Sequence, residues 1–323
     1  MPSNLSRRDF VKKSAVVGAS SVLGAGVLTQ PGQISGKLPL VGPSHVGQSQ
    51  GPNTISAVTG TDYIDNTIAA VQQLGGMGRF VTEGSRVAVL ANPQRPNPGA
   101  FTRPDIVRAV IRMCRDAGAD RVSCISWQSE QSWENTGTAE AVRAEGGELQ
   151  IVNMRDESLF KPVPVPSGVA LTEARVMKAL DDFDVLIDLP ITKDHAGNKF
   201  TGTLKNLMGL NSPVSNRTFH MENWTTDINA ITHLDQCIAD LNTIIHPDLC
   251  VVDATELITT NGPFGPGELI RPEKIIAGTD RVAVDAYCCG ILGLNPNDIM
   301  TVTMSHEHGL GEIDLRNVNI VEA

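Results

Sequence analysis

The sequence predicts an α/β fold: a mostly parallel sheet flanked by helices. Three observations carry this expectation. Short β-branched apolar runs alternate with amphipathic helical patterns along most of the chain. One run, Asp184–Leu189 (DVLIDL), is apolar almost throughout, as strands covered on both faces are. A length of 323 residues with 41% hydrophobic and 19% charged side chains is a soluble globular composition with enough material for a large core.

Each element has its own justification. Arg86–Ala91 (RVAVLA) and Arg121–Ser126 (RVSCIS) are strand patterns. Between them Val107, Val110, Ile111 and Cys114 recur at helical spacing, with Arg108, Arg112 and Arg115 on the opposite side. Pro104 suits the first turn of that helix and Gly118 its end. Leu149–Met154 follows as a strand and Thr172–Leu180 as a helix capped by Thr172. After the strand Asp184–Leu189, Ile231, Leu234, Ile238, Leu241 and Ile245 form one stripe of a helix over Asp227–Ile245. Leu249–Asp253 and Lys274–Ala277 are further strands, and Asp280 caps a helix running through Leu292.

The chain divides into three regions. Residues 1–30 open with Ser6-Arg7-Arg8-Asp9-Phe10-Val11-Lys12-Lys13 and continue as a short run of small apolar residues. A basic start before a short apolar stretch is an export pattern, and that stretch is too short to span a bilayer stably. It resembles the twin-arginine signal, S-R-R-x-F-x-K, at Ser6, Arg7, Arg8, Phe10 and Lys12. The resemblance implies passage through the twin-arginine translocase to the periplasm or the extracytoplasmic face of the membrane, with the signal either cleaved or kept as an anchor. Residues 31–62, rich in Gly and Pro with few charges, read as a linker or surface arm. Residues 63–323 form the α/β domain, as one body or as two lobes split near Lys193–Gly209.

Composition also excludes. Aromatics make up 4% of the chain, and 26 basic residues stand against 36 acidic ones, a net charge of −10. Neither stacking platforms nor a basic face is written here, so nucleic acid is not an expected partner. The six cysteines, each within an apolar run, show no C-x-x-C spacing that would ligate zinc or an iron–sulfur cluster, and read as buried thiols in the core, with disulfides as the alternative in an oxidising compartment. G-x-x-x-x-G-K-[ST] and G-x-S-x-G are absent, and Gly75-Gly76-Met77-Gly78 precedes its strand, which a dinucleotide fingerprint does not. No motif assigns a cofactor.

In open α/β sheets ligands sit beyond the carboxyl ends of the strands. The strand Asp184–Leu189 runs into Lys193-Asp194-His195, then Lys199, then Thr201-Gly202-Thr203-Leu204-Lys205-Asn206-Leu207-Met208-Gly209. Lysines among glycines and threonines suit a carboxylate or phosphate, and His195 suits proton transfer near neutral pH. If the loop is extended, Lys193 and His195 point to the same side.

These residues resemble the hallmark of a bacterial and archaeal family called domain of unknown function 362. His220, Val251-Val252-Asp253, Gly262-Pro263 with Gly267, and Ala277-Gly278-Thr279-Asp280-Arg281-Val282-Ala283-Val284-Asp285-Ala286 agree with it. Two departures stand out. Many members carry a ferredoxin-like cysteine segment, which this chain lacks, and the family tends to place a lysine where Ala91 precedes Asn92-Pro93. The resemblance raises His220 to a site candidate.

The reading is therefore a single cleft after strands 184–189 and 249–253. Lys193, His195 and His220 are its catalytic candidates. Lys205, Asn206, Asp253 and Asp285 are its ligand-binding candidates. An anionic small molecule or cofactor would be bound there, with proton-transfer or redox chemistry. Two alternatives stand beside it. One is a non-catalytic accessory subunit that docks on a membrane-associated iron–sulfur redox complex. The other is metal binding or delivery through His306 and His308, which share a face only in an extended segment.

Overall fold

The computed structural model describes residues 53–323. The expected signal over 1–30, and residues 31–52 of the expected linker, lie outside the described residues. In chain order the elements are β1 (Thr54–Thr59), α1 (Tyr63–Gln73), β2 (Arg86–Ala91), α2 (Pro104–Asp116), β3 (Arg121–Ser126), α3 (Glu130–Asn135), α4 (Thr138–Ala144), β4 (Glu148–Ile151), β5 (Phe160–Pro164), β6 (Glu173–Met177) and β7 (Val185–Leu189). They continue with α5 (Thr203–Asn206), α6 (Pro213–His220), α7 (Ile228–Leu241), β8 (Leu249–Ala254), β9 (Leu257–Ile258), β10 (Leu269–Ile270), β11 (Lys274–Gly278), α8 (Arg281–Ile291), α9 (Met300–Glu307) and β12 (Asn319–Glu322).

Eight strands make the main sheet, in the order β12-β1-β11-β8-β7-β2-β3-β4. All neighbours run parallel except around β11, which is antiparallel to both β1 and β8. The mostly parallel α/β class expected from the sequence is the observed one. Alternation along each strand feeds two cores. Val87, Val89, Ile187 and Leu189 face α1, α2 and α4, whereas Ala88, Leu90 and Leu186 face the layer holding α5, α7 and α8. Burying a leucine of the Leu186 kind contributes about 1.5–3 kcal/mol.

Three expectations need correction. Thr54–Thr59, inside the segment read as linker, is strand β1, paired to β11 on one side and β12 on the other. A strand covered on both faces needs few charges, so its composition resembled that of a linker. Thr172–Leu180 is not a helix: Glu173–Met177 pairs antiparallel with β5, and a 3-10 turn follows over Lys178–Asp182. Ala174 and Val176 there go inward against Phe160 and Val163, and this tertiary pairing overrides the local helical pattern. No split into lobes occurs near Lys193–Gly209, because β7, just before that segment, pairs with both β2 and β8.

The strand order places a crevice. From β2 the chain moves outward through β3 to β4, then returns to lay β7 on the other side of β2 and continues to β8. The helix leaving β2 covers one face and the helices leaving β7 cover the other. Such a reversal opens a gap beyond the carboxyl ends of the two central strands, here β2 and β7.

Candidate functional site

A cavity of about 180 Å3 fills that gap. Its wall includes Ala91 at the end of β2, Asn92 and Gln94 after it, Trp127 after β3, Lys193, His195 and Thr201 after β7, Lys205 and Asn206 of α5, Asn216 and His220 of α6, and Trp224 and Phe264. Of the residues singled out from the sequence, Lys193, His195, Lys205, Asn206 and His220 therefore share one cavity. Asp253 and Asp285 lie outside it.

The loop after β7 is extended. Lys193 and Thr201 bridge antiparallel, so Lys193 and His195 turn to the cavity. Asp194 turns away, and its Oδ2 accepts from Gly262 N at 2.8 Å. A Cβ at Gly262 would sit 1.8 Å from Asp194 O, so only glycine allows this approach. Lys199 is exposed, with φ +67°, outside the cavity wall.

Asp285 explains the Thr-Gly-Thr-Leu-Lys-Asn run. Its Oδ1 accepts from Thr203 N at 2.7 Å and Thr203 Oγ1 at 2.9 Å, and its Oδ2 accepts from Leu204 N at 3.0 Å. A carboxylate thus satisfies the free N–H groups at the start of α5 and fixes the turn that carries Lys205 and Asn206. A Cβ at Gly202 would stand 2.3 Å from Asp285 Oδ1. Burial pushes the Asp285 carboxyl up to about 7, against the pull of these hydrogen bonds. Asp253 does similar work at α2. It accepts from Arg103 N at 2.8 Å, at the helix start, and from Thr255 N and Oγ1 at 2.9 and 2.7 Å. Both aspartates were expected to face ligand; both instead hold backbone that carries or adjoins the wall.

Asn206 is likewise occupied. Its Nδ2 donates to Leu90 O at 3.1 Å and Asp188 Oδ1 at 2.7 Å, while its Oδ1 accepts from Asn92 Nδ2 at 3.0 Å. That bond aims Asn92 Oδ1 at Lys193 Nζ, 3.5 Å away, and Lys193 Nζ also donates to Ala100 O at 2.6 Å. Asp188 is fully buried, its Oδ2 has no hydrogen-bond partner among the described residues, and desolvation raises its carboxyl well above the usual range.

Lys205 is half-buried and meets less: Asn198 Oδ1 at 3.4 Å and Met208 Sδ at 4.0 Å. Asn198 Nδ2 in turn donates to Asp235. Burial brings Lys193 down to about 7, helped by repulsion from Lys205. Lys205 comes down to about 8, where Asp235 partly opposes the desolvation.

Both histidines are neutral by the same physics. Burial lowers His195 well below its ordinary value and lowers His220 as well, with the Lys205 charge acting in the same direction. His195 Nδ1 lies 2.6 Å from Ala196 O and His220 Nδ1 2.6 Å from Asn216 O. A carbonyl only accepts, so each Nδ1 carries the proton and each Nε2 presents a bare lone pair. Trp224 packs on both rings, at centroid distances of 5.3 Å from His195 and 4.9 Å from His220.

His306 and His308 do not meet in an extended segment. They lie at the end of α9, where His306 Nδ1 meets Gly311 O at 2.8 Å and His308 Nε2 meets Asp240 Oδ1 at 2.8 Å. The juxtaposition that the metal reading required is not made. All six cysteines are buried and free.

The model of the family described as domain of unknown function (DUF362) matches residues 87–290, which includes every residue of the cavity wall. The chain belongs to this family. A curated relative, "Thylakoid-associated protein sll1697" of Synechocystis sp. (strain ATCC 27184 / PCC 6803 / Kazusa), is 29% identical over 249 residues, covering 74% of this chain and 73% of the relative. Among solved structures, the lactate racemase apoprotein from Thermoanaerobacterium thermosaccharolyticum superposes with a TM-score of 0.44 at 14% identity, covering 72% of this chain and 56% of that one. Among the described residues, no helix is long and apolar enough to cross a membrane. Ala91, where the family tends to place a lysine, stands on the cavity wall.

Sequence reasoning missed Asn92, Trp127, Trp224, Asp188 and Asp235. Tryptophan scarcity was a usable signal: of three tryptophans, two line the cavity. Asp188 and Asp235 had none, because one lies in an apolar strand and the other on an amphipathic helix.

Proposed function

We propose that the cavity binds a small anionic molecule, with Lys205 and Lys193 as its cationic groups and His195 and His220 as proton acceptors. One observation carries this reading: two lysines open on one small cavity whose wall contains no Asp or Glu, in a chain with 36 acidic residues. Trp127 Nε1 and Thr201 Oγ1, on side chains of the same wall, are donors without a partner among the described residues. Like charges that share a low-dielectric site, with no carboxylate on its wall and Asp235 acting on Lys205 only from behind Asn198, favour an incoming anion. Bare Nε2 atoms on neutral imidazoles suit removal of a proton from such a ligand. The test is a thermal-shift titration of the full chain with phosphate, sulfate and acetate at low ionic strength. At least one anion should raise Tm in the native chain and fail to do so in Lys205→Gln. Loss of the reading follows if none does, or if the shift survives that substitution.

We further propose delivery through the twin-arginine route and work at the extracytoplasmic face of a membrane. The support is the Arg7-Arg8 pattern and a relative described as thylakoid-associated. The accessory-subunit reading shares that support and adds exposed apolar side chains: Phe264 on the cavity wall, and Val214 and Met221 in and just after α6. Co-purification of an iron–sulfur protein from native membranes is the result that would favour it over a solitary binder.

A further inference from the structure

We infer that Lys193 forms an imine with the carbonyl carbon of a small oxo carboxylate whose carboxylate group rests on Lys205. This rests on the anion-binding reading above and names the chemical class of the ligand.

The two lysines are held differently. Lys193 Nζ has two acceptors, Ala100 O at 2.6 Å and Asn92 Oδ1 at 3.5 Å. Two acceptors match the two hydrogens of a neutral amine and leave its lone pair for the cavity that the side chain lines. Lys205 Nζ has a single oxygen partner, Asn198 Oδ1 at 3.4 Å, and its partly exposed side chain lines the cavity. It remains the better cation, being brought down only to about 8 while Lys193 reaches about 7. A desolvated lysine beside another cationic group is the environment in which an amine becomes nucleophilic near neutral pH. The charged and titratable groups around Lys193 are Lys205, His195 and His220, and none is an acid on the wall. A volume of about 180 Å3 suits a ligand of a few carbons, close in size to the small apolar cavities that hold one benzene.

The step balances without a redox partner. The Lys193 nitrogen lone pair attacks the carbonyl carbon, a C–N bond forms, and the carbonyl π pair moves to oxygen. Both hydrogens of the neutral amine end on that oxygen, relayed by the bare Nε2 of His195. The C–O bond breaks, water leaves, and the C=N bond is complete.

The experiment is reductive trapping. The full chain is incubated at pH 7 with pyruvate and sodium cyanoborohydride, and peptides are mapped by mass spectrometry. The expected result is one adduct on Lys193, at least about tenfold slower in Lys205→Gln and suppressed by excess acetate. The wild-type peptide map locates the adduct even if Lys193→Met fails to fold. Adducts on Lys205, or spread over exposed lysines such as Lys178 and Lys199, overturn the proposal. If acetate raises Tm but Lys193 stays unmodified, the imine falls and anion binding stands. If acetaldehyde modifies Lys193 as fast as pyruvate and acetate gives no protection, the amine is reactive, but the anion reading and the oxo-carboxylate class fall.

Discussion

The two lysines of the cavity sit at the ends of two parallel constructions that differ in stiffness. Lys193 is tied through Asn92 and Asn206 to the buried Asp188, by hydrogen bonds that join the chain leaving β2 and β7 to α5. Lys205 is tied through Asn198 alone to Asp235 and is only partly buried, whereas Lys193 also donates to Ala100 O at 2.6 Å. Both aspartates are desolvated, and each has one oxygen with no partner among the described residues. The difference lies in what the lysine is left to do. A fully buried, doubly accepted nitrogen is positioned and easily neutral, whereas a loosely held one on a partly buried side chain keeps its charge for a ligand. Both side chains reach one cavity, so one wall holds a fixed amine and an available cation.

The largest expected effect lies at Asn206, the joint of the Lys193 branch. Asn206→Leu leaves Asn92 Nδ2, Leu90 O and Asp188 Oδ1 unmatched, and urea unfolding should show a loss of about 3 kcal/mol, since each buried orphan costs about 1–3 kcal/mol. A loss below about 1 kcal/mol would mean that the Lys193 branch is not held as described. Lys205→Gln should leave Tm within a few degrees of the native value, yet weaken phosphate or acetate binding by at least about tenfold, near 1.4 kcal/mol. Equal weakening by a substitution at exposed Lys199 would point to general surface charge instead.

The pH dependence separates the branches. Anion binding needs ammonium groups, so affinity measured by titration calorimetry should fall as pH rises through about 7 for Lys193 and about 8 for Lys205. Stability moves the other way. Between about 7 and the ordinary lysine value of about 10.4, the native state binds fewer protons at Lys193 than the unfolded chain does. Its contribution therefore rises with pH across that window and is lost as pH falls to about 7. Lys193→Met should flatten this part of the profile.

The smallest effect belongs to Asp188. Its native carboxyl is raised, so its contribution to stability is present at low pH and lost as pH rises above the unfolded value of about 3.9. Asp188→Asn, an amide of the same shape, should stay within about 1 kcal/mol of the native chain at pH 4. At pH 8 it should equal or exceed it.

How much was legible depended on which force decided each element. The helix Pro104–Asp116, the strand Val185–Leu189 and the helix capped by Asp280 follow from apolar spacing and caps, which are local. The hairpin Phe160–Met177 and strand β1 follow from pairing with distant chain, and a local pattern suggested otherwise. At the site, clustering of Lys193, His195 and Lys205 along one loop was visible because the residues are close in sequence. The tasks of Asn206, Asp253 and Asp285 were not. Each holds backbone or another side chain more than eighty residues away in the chain; Asn206 does so from the cavity wall, whereas Asp253 and Asp285 lie outside it.

Sequence alone therefore determined the fold class and which loop concentrates basic groups, because hydrophobic period, capping and charge are properties of neighbouring residues. Tertiary structure alone decided that no carboxylate stands on the cavity wall and that Asp285 is spent on the start of α5. It also decided that Asn92 and Trp224 complete the wall. The reason is physical: desolvation, hydrogen-bond partnership and the sharing of one cavity depend on which distant atoms arrive, and the crossover between β2 and β7 brings them there.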